Sequence, residues 1–143
     1  MKTPLRIVVT MELPSEISEL LKDATTKLNL TQGNAWINPG VLIPGAPAIV
    51  IPVPYDEAAR HIATAVAAEA AVGTAPGATQ ARNTAVNIVI VDERAYMRMI
   101  QEVVDTNPTH GEEIALGCGY HIEHPVTKNK QDFIVKHLSL IHI

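Results

Sequence analysis

Asn87-Ile88-Val89-Ile90-Val91-Asp92-Glu93-Arg94-Ala95-Tyr96-Met97 is the stretch that decides the fold. Its run from Ile88 to Val91 is apolar and β-branched, and by itself it predicts a buried strand. A strand needs turn residues at its ends, and this one has none. Thr79-Gln80-Ala81-Arg82 lies before it and Asp92 to Met97 after it, and both flanks favour helix. From Ala78 to Asp105 there is no Gly and no Pro, although the chain holds 8 and 10 of them. The stripe Ala81, Ala85, Ile88, Val89, Tyr96, Met99, Ile100, Val103 keeps helical spacing except near Asp92. One helix over about 78–105 is expected, with a strand at 86–91 as the lesser option.

Working backward, Gly73-Thr74-Ala75-Pro76-Gly77 is a turn, and before it lies a second helical arm at about 55–72. Tyr55, Ala58, Ala59, Ile62, Ala65, Val66 and Ala70 recur at three- and four-residue steps, the spacing of one helical face. Asp56, Glu57, Arg60, His61 and Thr64 take the other face. Asp56 and Arg60 are placed for a modest ion pair. Pro54 suits the start of this arm and Gly73 its end. At 1.5 Å per residue the arms are roughly 27 and 40 Å long, so the second overhangs the first. Ile17, Leu20, Leu21, Ala24 and Leu28 form a third stripe, on a helix at about 15–29 that Ser15 can cap and that can cover the overhang. Leu5 to Thr10 is short and β-branched, and is expected to be extended.

Thr31 to Pro54 holds five prolines among Trp36, Ile37, Val41, Leu42, Ile43, Ile49, Val50 and Ile51. It is too apolar for a free linker, and an extended segment laid across the bundle is expected. After Asp105, Asn107-Pro108 breaks the helix. Thr109 and Glu112 have capping-box spacing for a short helix at about 110–117. Tyr120 to Lys136 alternates as a strand would, with no partner following it.

Hydrophobic residues make up 47% of the chain and aromatics 3%, so the core must be aliphatic. Trp36, Tyr55, Tyr96, Tyr120 and Phe133 are its few large pieces. A formal charge of −4 argues against nucleic acid, which needs a cationic face. No segment reaches the roughly 18 unbroken apolar residues of a membrane span. No signal peptide is evident at Met1-Lys2-Thr3-Pro4. The single cysteine, Cys118, excludes an internal disulfide.

His110, Glu112, Glu113, Cys118, His121 and His124 crowd together. Cys118, His121 and His124 are spaced by three, and both residue types ligate zinc. The spacing matches no standard finger and no second ligand pair exists elsewhere, so no metal is expected. Cys118 with a nearby histidine is a conceivable thiol nucleophile. It sits where a helix ends, however, and the dipole there raises a thiol pKa. Asp92, Glu93 and Arg94 are either a buried polar site between the arms or an exposed turn with a local ion pair, and the exposed turn is expected. Gly117-Cys118-Gly119 lacks the lysine-bearing helix of a phosphate loop. Met97 and Met99 read as core and rim of the long helix.

Gly73-Thr74, Ala81-Arg82-Asn83, Arg94-Ala95-Tyr96, Ile100-Gln101, Asn107-Pro108 and above all Thr127-Lys128-Asn129-Lys130-Gln131-Asp132-Phe133-Ile134-Val135-Lys136 carry a resemblance. From about Leu30 onward the chain resembles a family of uncharacterised bacterial proteins with an N-terminal helical-hairpin domain followed by a fibronectin type III-like domain. The resemblance implies an accessory, assembly or interaction role without catalysis. The chain departs from that pattern in its long Pro-rich segment at 39–54 and in stopping before any β domain. Leu138-Ser139-Leu140-Ile141-His142-Ile143 looks like translated adapter sequence, with a genuine short strand as the alternative; deleting a non-native tail is expected to leave stability unchanged, and deleting a native strand to lower it.

The reading is a mainly α protein: a small up-down helical bundle built on a long helical hairpin, with a short β segment at each terminus. Residues 1–118 form the bundle, 119–137 start a β segment or linker to a missing domain, and 138–143 are a non-native tail. The expected function is a non-enzymatic structural or interaction module with no catalytic residues, metal or cofactor. Its expected partner is another protein or a second copy. The alternative is a small metal-dependent or thiol enzyme using the 110–124 His/Cys segment.

Overall fold

The computed structural model describes residues 6–45 and 49–123. The chain runs β1 (Val8–Thr10), α1 (Ile17–Gly33), a 3-10 turn (Pro39–Val41), α2 (Tyr55–Ala70), α3 (Ala78–Thr106), a second 3-10 turn (Pro108–His110), α4 (Gly111–Gly117) and β2 (His121–Glu123). The protein is mainly helical, with one short antiparallel strand pair joining the two ends of the described chain. Val89 and Ile90 lie inside the 29-residue helix α3, so the β-branched run is helical as expected. Tertiary burial of Val86 and Val89 outweighs their local strand preference.

Tyr55, at the start of α2, stacks on Tyr96 of α3 with ring centroids 5.7 Å apart. Glu69, near the end of α2, pairs with Arg82 near the start of α3 at 3.0 Å. The two arms are therefore antiparallel, and α3 runs on past Tyr55 by about ten residues. The turn between them closes through Gly73, whose φ of 88° is a left-handed value that costs glycine little. Helix α1 lies parallel to α3. Its Leu20, Leu21 and Ala24 pack with Ala65, Ala85, Val86 and Val89 at the hairpin's turn end.

The overhang of α3 is covered differently from the expectation. α1 reaches it mainly through Leu28, and most of the cover comes from β1, α4 and the residues after it. Val9, Ile114, Ala115, Cys118 and Tyr120 pack with Met99, Ile100 and Val104. Gln101 of α3 accepts from the Val9 amide at 2.7 Å and donates to the Ile7 carbonyl at 2.9 Å. Its side chain thus takes a backbone amide of β1 and the carbonyl just before it, groups that an edge strand would otherwise leave open. Gly111 lets α4 come this close, since a Cβ there would meet Val104 Cγ1 at 2.9 Å.

Other local expectations are corrected. Ser15 does not cap α1: the helix begins at Ile17 with Glu16 at the cap, one residue too late for the serine hydroxyl. Thr109 does not form a capping box, because Pro108–His110 already forms a 3-10 turn and His110 takes the cap position. Ile88, Val66 and Ala59 face outward, and Val86 and Val104 take inward places instead. The Asp56–Arg60 pair forms at 3.3 Å, fully on the surface.

The segment leading into α2 is extended in part. Ile49, Ile51 and Val53 are half-buried against the core, while Val50 is 90% exposed. The Val53 carbonyl accepts from the Tyr96 hydroxyl at 2.6 Å. The boundary at 118 also moves. Tyr120 is core, and Val8, Val9 and Thr10 pair with Glu123, Ile122 and His121, so residues 120–123 belong to the bundle domain. The strand expected at 130–136, Phe133, His124, the Thr127–Lys136 block and the tail 138–143 lie outside the described residues. Among the described residues, no helix is long and apolar enough to cross a membrane.

Candidate functional site

The helical stripe of α3 does not break at Asp92 and Glu93. Val89, Asp92, Glu93 and Tyr96 follow the i, i+3, i+4, i+7 rule of a single face, and all four are buried. The expected exposed turn is thus corrected: Asp92 and Glu93 form a buried polar site between the helices, and only Arg94 of that trio is exposed. The same rule governs α1, where Leu20, Leu21, Ala24, Lys27, Leu28 and Thr31 are the buried positions. Lys27 therefore enters the interior because a lysine occupies an apolar position of the stripe. The spacing from Leu20 to Leu28 holds the signal that would have found it.

Lys27 Nζ lies 2.7 Å from Glu93 Oε2 and 2.8 Å from Asp23 Oδ2. The ammonium also sits 5.1 Å from the centroid of the Tyr120 ring, within cation–π range. The Tyr120 hydroxyl donates to the Glu93 carbonyl at 3.2 Å. The turn before Tyr120 must pass tightly over α1. Gly119 takes a φ of 85°, and a Cβ there would meet Lys27 Cγ at 3.0 Å. On the far side of Glu93, His61 of α2 approaches Asp92 at 2.6 Å, with its other ring nitrogen 3.8 Å from Glu57. His61 was expected on the polar face of its helix, and it instead turns toward α3. Three helices and the final strand connection thus meet at one charged cluster.

A cavity of about 10 Å³ lies between Lys27, Thr31, Ile62, Asp92, Glu93, Tyr96 and Tyr120. That is the space of a single water. The Glu93 Oε1 atom is buried and has no hydrogen-bond partner among the described residues. Burial pushes the Glu93 carboxyl up from its ordinary value of 4.5, and the Lys27 ammonium only partly opposes this. Burial also raises the Tyr96 and Tyr120 hydroxyls. The cluster can hold a proton at Glu93 and lock α1 against α3. It has no space for a substrate.

A pH dependence follows from Glu93. Its folded-state pKa lies above its unfolded one, so the folded state holds the proton more tightly. This contribution to stability is full below about pH 4.5 and is lost as pH rises through the raised value. Glu93→Gln should flatten that part of the stability–pH curve, measured by denaturant unfolding at a series of pH values. An unchanged curve would mean that the Glu93 carboxyl carries no such linkage.

The residues of the 110–124 segment do not converge. Cys118 is fully buried beside Thr31, and burial pushes its thiol up to about 11. His110 is on the surface, tilted against the Trp36 ring with centroids 4.8 Å apart and 3.3 Å from Glu113. His121 and Glu112 are exposed, and His124 lies outside the described residues. Among the described residues, no group of three His, Cys, Asp or Glu side chains is placed to hold a metal ion. Trp36 was expected in the core. It is instead 36% exposed, because the turn after α1 carries it outward while Ile37 points in. Compared with protein-family models, with curated proteins and with solved structures, the chain matches none of them.

Proposed function

We propose that this protein is a non-enzymatic structural or interaction module. One observation carries the reading: the connection between α1 and α2 presents large apolar side chains to solvent. Val41 is 52% exposed, Leu42 74%, Ile43 64% and Val50 90%. Consecutive aliphatic residues held outward on a bundle are a contact surface in search of a partner. The polar cluster at Lys27 and Glu93 supports the same reading from the opposite side, because its cavity of about 10 Å³ admits no substrate. It is a device for holding helices in register. The resemblance to hairpin-plus-β proteins supports a place ahead of a β domain.

Thiol titration and metal analysis of the purified protein test this against a metal or thiol enzyme. Cys118 should resist a thiol reagent in the folded protein and react fully once denaturant unfolds it, as a buried thiolate-poor cysteine must. Stoichiometric zinc that disappears in Cys118→Ala, or fast modification of the native thiol, would overturn the proposal. For the contact surface, Leu42→Asp with Ile43→Asp should abolish concentration-dependent association in sedimentation or binding of an apolar dye. It should leave stability within about half a kcal/mol, because the positions are exposed.

A further inference from the structure

We propose that the hollow beside Trp36 is a binding site for a neutral pyranose sugar. Trp36 lies on the same connection between α1 and α2, but the hollow does not include Val41, Leu42, Ile43 or Val50, and its fate does not decide that of the module reading. The hollow measures about 370 Å³ and lies between the end of α1 and α4. That volume falls in the range of small-ligand sites. Its walls include Asn29, Asn34, Trp36 and Glu113, and Gly33 leaves open space beside them.

Two kinds of group meet here, as a sugar requires. Trp36 is 36% exposed and lines the hollow, so its indole offers apolar surface to the C–H side of a pyranose. It is held in place, not loose: its amide donates to Asn34 Oδ1 at 2.8 Å, and its ring rests against His110. His110 is in turn fixed by Glu113 at 3.3 Å. The Asn29 amide can donate to and accept from hydroxyl groups, and the Glu113 carboxylate accepts hydroxyl protons. Asn34 uses its oxygen on the Trp36 and Ile37 amides, and its NH2 group packs over Gly117, 2.9 Å from where a Cβ would lie.

Charge selects among ligands. Among the residues lining the hollow, the single charged side chain is the acidic Glu113, and the whole chain carries −4. An anionic ligand is therefore disfavoured and a neutral polyol is not. A proline-rich peptide would need a row of aromatic grooves, whereas this hollow has one ring.

Trp36 is the only tryptophan in the chain, so its fluorescence reports this site alone. The full chain is titrated with N-acetylglucosamine, with glucuronate as the anionic counterpart and with a tetraproline peptide. Saturation-transfer NMR from protein to sugar gives a second readout that survives loss of the tryptophan. The expected result is a saturable emission change and transfer to ring C–H protons with the neutral sugar, weaker with glucuronate. Trp36→Ala should weaken binding roughly tenfold or more, the scale of a lost aromatic contact. Asn29→Ala, on the exposed rim, should weaken it without disturbing the fold. No saturable signal with the neutral sugar overturns the proposal, as does binding that both substitutions leave intact. A signal with the peptide but not the sugar overturns it in favour of a peptide site.

Discussion

Lys27→Met should cost the fold about 3–5 kcal/mol, the scale on which removing one partner of a buried ion pair destabilises a protein. The methionine fills much of the lysine's volume, so the loss is not one of packing. It comes from leaving Glu93 desolvated without the ammonium at 2.7 Å, while its other oxygen already has no partner among the described residues. The cost should shrink in acid, where Glu93 takes up a proton and loses its charge. Lys27→Met combined with Glu93→Leu should return stability to within about 1 kcal/mol of wild type or above it, since well-packed apolar residues often replace a buried pair without loss. Asp23 is partly exposed and can be left to solvent. Urea unfolding of the four proteins completes the cycle. A double variant as weak as Lys27→Met alone would show that the lysine acts through something other than Glu93.

Ile100→Ala should destabilise by about 2–5 kcal/mol, and toward the upper end of that range. Ile100 is fully buried at the point where α3 runs past α2, among Val9, Val104, Ile114 and Ala115. The neighbours come from α3 itself, α4 and β1, and the strand pair is tied to Gln101 one residue on. A cavity there has little freedom to collapse. Ile62→Ala removes a similar side chain, but Ile62 is only half-buried. Its cost should therefore fall at the bottom of the range. Equal losses for the two would mean that the site around Ile100 relaxes freely, and losses under about half a kcal/mol for both would place those faces at the surface.

Much of the architecture was legible in the sequence because helices announce themselves locally. The absence of Gly and Pro from Ala78 to Asp105 carries α3 through a β-branched run, and Gly73 to Gly77 mark the turn. The three apolar stripes set which elements are helices, and they follow from residue spacing that no distant contact is needed to interpret. The buried polar cluster was half-legible. Lys27, Asp92 and Glu93 sit at stripe positions, but a charged residue there is ordinarily turned to water. Lys27 has Asp23 on its own helix, but the pairing that offsets burial of both charges is with Glu93 on another helix, 66 residues away.

The rest was decided by tertiary contact. A short β segment at each end was expected from residue type and alternation, but the pairing was not: β1 and β2 find each other from opposite ends of the described chain. Their pairing draws Tyr120 over Lys27 and completes the core around Ile100. The placement of Trp36 at the surface is likewise a matter of context, since the sequence records an apolar ring and the turn after α1 determines which way it faces. The sequence by itself thus determined the helices and most of their apolar faces, because spacing and turn residues act locally. The tertiary structure decided which charges are buried, what covers the end of α3, and where Trp36 points, because each depends on partners far away along the chain.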